Sequence, residues 1–168
     1  MTGILKCDTI QNSAGAFEHA RLVQVVNTEF TTSSTGTTVI PYDTSIPQKT
    51  EGDEYFTLAI TPTHASNKLV IEVLLNFTHG TSGNLVTIAL FQDTTANALK
   101  AVAERADNNS YSQVCMLRHY MTTGTTSSTT FRVRVGGESG TTHINKDATS
   151  QKLGGTMASS ITISEIRE

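Results

Sequence analysis

The most constraining feature of this chain is an alternation of period two. Between Lys68 and Thr78 the odd positions Leu69, Ile71, Val73, Leu75 and Phe77 are all apolar, while Lys68, Glu72, Asn76 and Thr78 mark the opposite face. Successive side chains of a strand point to opposite faces, so this pattern makes a strand with one side in a core. The same period recurs in Phe56, Leu58 and Ile60, in Phe131, Val133 and Val135, and in Ile161 and Ile163, while Leu22–Val26 and Val114–Met121 add two further strands. Leu85–Phe91 is apolar on both faces and is therefore expected to be covered on both. Clusters of turn residues at 80–83, 122–128, 136–140 and 154–155 separate these segments. Residues 97–106 could place Ala98, Leu99, Val102 and Ala106 on a helix, but Asp93–Asn97 can equally turn a hairpin whose second strand is Leu99–Glu104, and the hairpin is preferred.

About eight strands with no interleaved helices predict an all-β fold, an antiparallel β-sandwich of the jelly-roll kind. The 168 residues suffice for one such domain with a real core. Residues 18–168 form the expected head, and residues 1–17, whose apolar Ile4, Leu5 and Ile10 are followed by the break at Gln11–Gly15, form an expected N-terminal arm. The composition agrees: 29 Thr and 15 Ser with only 16% charged residues describe a hydroxyl-rich chain, and β-branched Thr suits half-exposed strands.

A formal charge of -3, with twelve scattered Lys and Arg, leaves no basic surplus for phosphates, so no nucleic-acid partner is expected. No apolar run reaches the roughly 20 residues that span a bilayer, and Met1–Asp8 does not read as a secretion signal, so no membrane insertion is expected either. The sequons Asn76-Phe-Thr78 and Asn108-Asn-Ser110 are put down to the abundance of Thr and Ser. Cys7 and Cys115 lie far apart without metal-site spacing; a long-range bridge is permitted, and free thiols are preferred.

Motifs of catalysis are missing. There is no Gly-x-Ser-x-Gly elbow, and Gly136-Gly-Glu-Ser-Gly140 lacks the Lys-Ser/Thr ending of a phosphate loop, so a plain turn is expected there. His19, His64, His79, His119 and His143 show no metal-ligand spacing, and Glu51-Gly-Asp-Glu54 lacks the ligand pattern of a calcium loop; no cofactor and no metal are expected. Arg132 and Arg134 share a strand face, with Arg118 a candidate neighbour, and such a face can meet carboxylates or sulfated glycans, against the plainer reading of a solvated stripe. The loop Asp107, Asn108, Asn109, Ser110 together with Tyr111 carries the amide and aromatic groups of a glycan contact and is the candidate receptor loop; Tyr120 is a further aromatic. Glycan hydrolysis would need two carboxylates about 5 to 9.5 Å apart. Glu72, Glu104, Glu138 and Asp107 are available without a recognisable pairing.

The opening Ile4-Leu-Lys-Cys-Asp-Thr-Ile-Gln-Asn-Ser-Ala-Gly15 resembles a phrase at the start of virion appendage proteins of tailed bacteriophages, marine ones especially, with Cys7 where Val is commoner. The body is similar too, in Phe56–Pro62, Asn67–Val73, Val86–Asp93, the Met121-Thr-Thr-Gly-Thr-Thr turn before Thr130–Val135, and the close Gly154–Ile166. The resemblance implies a head like those of tumour necrosis factor and complement C1q, assembled as a homotrimer on the virion after assembly in the host bacterial cytoplasm. It implies no catalytic residues, and it implies attachment to neighbouring virion proteins through Ile4, Leu5, Ile10, Gln11 and Asn12. Sister copies would then cover the outer faces of Leu85–Phe91 and Val114–Tyr120. The expected function is a trimeric tail-fibre head that contacts a host-surface glycan, several weak sites combining into avidity. The alternatives are a capsid decoration protein of the same fold and, from another class, a glycan-degrading enzyme.

Overall fold

The computed structural model describes residues 22–107 and 109–168. The arm with Ile4, Leu5, Ile10, Gln11 and Asn12, the residue Cys7 and the loop residue Asn108 lie outside the described residues.

The described residues form ten strands: β1 (Leu22–Phe30), β2 (Ser34–Gly36), β3 (Asp53–Ile60), β4 (Lys68–His79), β5 (Leu85–Gln92), β6 (Lys100–Arg105), β7 (Gln113–Thr122), β8 (Thr129–Gly137), β9 (Thr142–Ile144) and β10 (Ser159–Ile166). Two of them, β2 and β9, have three residues each and were not expected from the sequence. All pairings are antiparallel. Sheet one runs β1-β10-β4-β7, with β9 continuing beside the end of β4 and β2 beside β9; sheet two runs β3-β8-β5-β6. The partners are nested along the chain, β1 with β10, β3 with β8, β4 with β7 and β5 with β6. That is the order left by one long hairpin wrapped into two facing sheets, a jelly roll. Residues 93–99 make a hairpin connection and not a helix, with Leu99 N donating to Leu90 O at 2.7 Å.

Alternation places the core as expected. Leu69, Ile71, Val73, Leu75 and Phe77 of β4 have no exposed surface and meet Ile88, Leu90, Phe131, Val133 and Val135 of sheet two. Each such side chain contributes about 1.5–3 kcal/mol by leaving water.

The outer face of β5 departs from expectation. Ala89 and Phe91 are buried there against Ile40, itself without exposed surface. The cover is the chain's own β2–β3 connection, residues 37–52, not a sister copy. Gly136 makes the approach possible: a Cβ on it would stand 2.5 Å from Thr38 O, and Ile40 N donates to Gly137 O at 3.1 Å. A Cβ on Gly137 would stand 2.6 Å from His79 Nε2. These two glycines therefore end strand β8 as packing space, and the turn begins only at Glu138.

Candidate functional site

Sheet one keeps its outer face open. The register aligns its outward residues in rows: Val25, Ser164, Val70 and Tyr120; Asn27, Thr162, Glu72 and Arg118; Glu29, Ser160, Leu74 and Met116. Met116, Tyr120, Val114, Leu22 and Val25 are 62%, 61%, 55%, 58% and 50% exposed. In the middle row Arg118 Nε approaches Glu72 Oε1 at 3.6 Å, and the hydroxyls of β10 run down the centre. Large apolar side chains interleaved with hydroxyls and one ion pair have the make-up of a protein–protein contact.

The candidate receptor loop sits beyond one end of sheet one, fastened on both sides. Asp107 N donates to Gln113 Oε1 at 2.8 Å, Gln113 Nε2 to Arg105 O at 3.1 Å, Ser82 Oγ to Asp107 O, and Ala148 N to Asn109 O at 3.1 Å. Tyr111 is 72% exposed, and its carbonyl accepts from Thr78 Oγ1 at 3.4 Å.

The arginine face has structural partners. Glu54 bridges Arg132 at 3.1 Å and Arg134 at 3.4 Å; Arg134 also donates to Glu51 O and Gly52 O, both at 2.8 Å, and Arg132 Nε to Asp93 O at 3.1 Å. Arg118 belongs to the other sheet. In the acidic run 51–54 every carboxylate is engaged: Glu51 accepts from Gln48 N at 2.9 Å, and Asp53 from Thr38 N and Oγ1 at 3.1 and 2.7 Å. Both groups of charges fasten the 37–52 connection onto sheet two.

The remaining candidates are dispersed. Glu72 lies outward on β4, Glu104 on β6, and Glu138 beyond β8, where it accepts from Leu85 N at 3.3 Å. Among the described residues no three His, Cys, Asp or Glu gather as metal ligands would. His79 Nε2 donates to Ser139 O at 2.7 Å, while His143 is buried with Nδ1 unpartnered among the described residues. Cys115 is a buried free thiol on the inner face of β7, pushed up in pKa by burial and then by Glu104.

Sequence reasoning missed Glu165, which lies in the closing phrase and has no exposed surface. Its carboxylate accepts from Asn67 Nδ2 at 2.6 Å, Gln24 Nε2 at 2.6 Å, Thr63 N at 2.9 Å and Thr63 Oγ1 at 2.9 Å. Burial alone would raise the carboxyl, but these hydrogen bonds outweigh it and bring it from 4.5 down to about 2. Glu165 thereby ties β1, β10 and the β3–β4 connection together, a role for which a lone Glu in a Ser/Ile alternation gives no signal.

The fold has distant likenesses among solved structures. They include the C-terminal domain of the sugar-binding protein EclA, with 13% identity, 83% of this chain and 87% of that one covered, and a TM-score of 0.41. Eiger TNF from S. frugiperda shows 11% identity, 88% and 95% coverage and a TM-score of 0.47. The VP2 subviral particle of infectious bursal disease virus shows 13% identity, 97% and 42% coverage and a TM-score of 0.38. No curated protein sequence matches. The jelly-roll assignment rests on the strand order itself. A family model, that of the Pgp3 C-terminal domain, matches residues 32–168, and with most of its length matched the chain belongs to the Pgp3 C-terminal domain family.

Proposed function

We propose that this chain is the head of a non-enzymatic, homotrimeric attachment protein, whose three copies meet through the outer face of sheet one. The supporting observation is the set of rows carrying Val25, Val114, Met116 and Tyr120, which the chain leaves exposed although it covers the equivalent face of sheet two. Thr162 and the other β10 hydroxyls can hydrogen-bond across such a contact without the desolvation cost of buried ions. The resemblance of the opening phrase and of the body to tailed-phage appendage proteins supports placing the head on a virion, at a tail fibre, with the arm toward a neighbouring virion protein. Contact with a host-surface glycan then falls to the loops and to sheet two, through sites made trivalent by assembly.

Light scattering tests the assembly: a mass near 54 kDa is expected, three times 18.0 kDa, and Met116→Arg should return it to the monomer value. A wild-type monomer would remove the trimer. Immunogold labelling of purified particles tests the place: label on the tail supports the fibre, while label over the shell replaces it by decoration.

A further inference from the structure

The connection that plugs sheet two also builds a cleft. Beyond Ile40 the segment Pro41-Tyr42-Asp43-Thr44-Ser45-Ile46-Pro47 folds back, and it is held firmly. Ser45 N and Oγ donate to Asp43 Oδ1 at 2.7 and 2.6 Å, Ala98 N to Pro47 O at 2.9 Å, and Lys49 N to Ala96 O at 2.8 Å. A segment fixed this way loses little further freedom when something binds it. Tyr42 is nevertheless 64% exposed.

Tyr42, Asp43, Ser45 and the flanking prolines face Thr87 and Ala101 across a cleft of about 200 Å³. Its lining is amphipathic in a particular way. An aromatic ring, two proline rings and small alanines offer apolar surface, and two polar groups remain available. Asp43 Oδ1 is occupied by the Ser45 hydroxyl and amide, which orients the carboxylate and leaves Oδ2 to accept; the hydroxyl bond, and after it the amide bond, also hold the acid's pKa below its ordinary value. Thr87 is 5% exposed, and its hydroxyl has no hydrogen-bond partner among the described residues. Among the described residues Asp43 is the only charged one in the lining, so an anionic ligand would be repelled. The neighbouring cleft of Lys49, Arg132 and Arg134 is a poorer choice, because both its arginines share Glu54 and are bonded to backbone carbonyls.

We propose that this cleft binds one pyranose ring of a neutral saccharide, Tyr42 lying against the C–H face of the sugar and the Asp43 carboxylate accepting from its hydroxyls. Pyranoses join an apolar face to a rim of hydroxyl donors, which is the complement of this lining. The inference rests on the attachment reading above and names what is gripped.

The chain contains no tryptophan, so Tyr42→Trp supplies both a larger platform and the sole indole reporter. Titration of the full-length variant with methyl α-D-glucopyranoside, methyl α-D-mannopyranoside and methyl β-D-galactopyranoside should give a saturable emission change at millimolar concentration for at least one. Saturation-transfer NMR on the wild type should show the same sugar bound. Adding Asp43→Asn should weaken binding by about tenfold or more, since it removes a charge-assisted acceptor without changing shape. Thr87→Val should weaken it less, with an unchanged melting temperature as the check on folding. Failure of all three sugars, or binding indifferent to both Tyr42→Ala and Asp43→Asn, would overturn the cleft. If the protein remains trimeric and still adsorbs to host cells, only the cleft falls; if it is monomeric and does not adsorb, the attachment reading falls beneath it.

Discussion

The two outer faces of this sandwich solve one problem in opposite ways. On sheet two the apolar Ala89 and Phe91 are sealed by Ile40 from the same chain, whereas on sheet one Met116, Tyr120 and Val25 remain open. Both faces look alike as strand sequence, because Leu85–Phe91 and Val114–Tyr120 each carry apolar residues on both sides. The difference lies in what the rest of the chain can reach. Gly136 clears space for Thr38 O on sheet two, and none of the described segments packs over β7 from outside. An apolar outer face thus marks a cover without saying whether that cover is the chain itself or a copy of it.

Perturbing the sealed face should have the largest effect. Ile40→Ala opens a cavity between Phe91 and the 37–52 connection and should cost about 2–5 kcal/mol in denaturant unfolding. The Tyr42 cleft should lose its order in the same variant, which hydrogen exchange at Ser45 and Ala98 would show. A cost under about 0.5 kcal/mol would mean that Ile40 is not the seal.

Glu165 comes next, at the edge where sheet one closes. Glu165→Ala strands Thr63 N and the amides of Asn67 and Gln24, and should cost about 1.5–3 kcal/mol. Its pH signature has a definite sign. The carboxyl is at about 2 in the fold and 4.5 as its ordinary value, so between them the unfolded chain binds more protons than the folded one. The contribution is therefore complete above pH 4.5 and fades as pH falls toward 2, and Glu165→Gln should flatten that part of the stability curve.

The open face should respond least in folding and most in assembly. Met116→Arg alters a side chain 62% exposed in the single subunit and should shift monomer stability by no more than about 0.5 kcal/mol, while abolishing the trimer. A large loss of monomer stability would show that β7 is covered from within.

The main strands were legible because period two survives wherever one face is buried, as in Leu69–Phe77 and Phe131–Val135. Less legible was everything that depends on contact between distant segments. The prolines at 41 and 47 mark a loop, but nothing local says that Ile40 lies on Phe91 or that Gly136 exists to admit it. Arg132 and Arg134 read either as a solvated stripe or as a face that meets carboxylates or sulfated glycans, and the carboxylate they meet is the chain's own Glu54, whose approach depends on strand pairing. Glu165 is invisible for the same reason: its partners Gln24, Thr63 and Asn67 come together only in the fold. The candidate receptor loop, with Asp107, Asn109 and Tyr111, rests on composition alone, and the structure places these residues beyond the end of sheet one.

Hydroxyl-radical footprinting of the protein in solution compares the two faces in one experiment. Tyr42, Met116 and Tyr120 are 64%, 62% and 61% exposed in the single subunit, so exposure in an isolated chain is nearly equal for all three. If copies cover sheet one, Met116 and Tyr120 should be strongly protected while Tyr42 is modified, and Met116→Arg should restore modification of Tyr120. Tyr120 modified in the wild type as fully as in the Met116→Arg variant, with Met116 of the wild type also modified, would contradict the account.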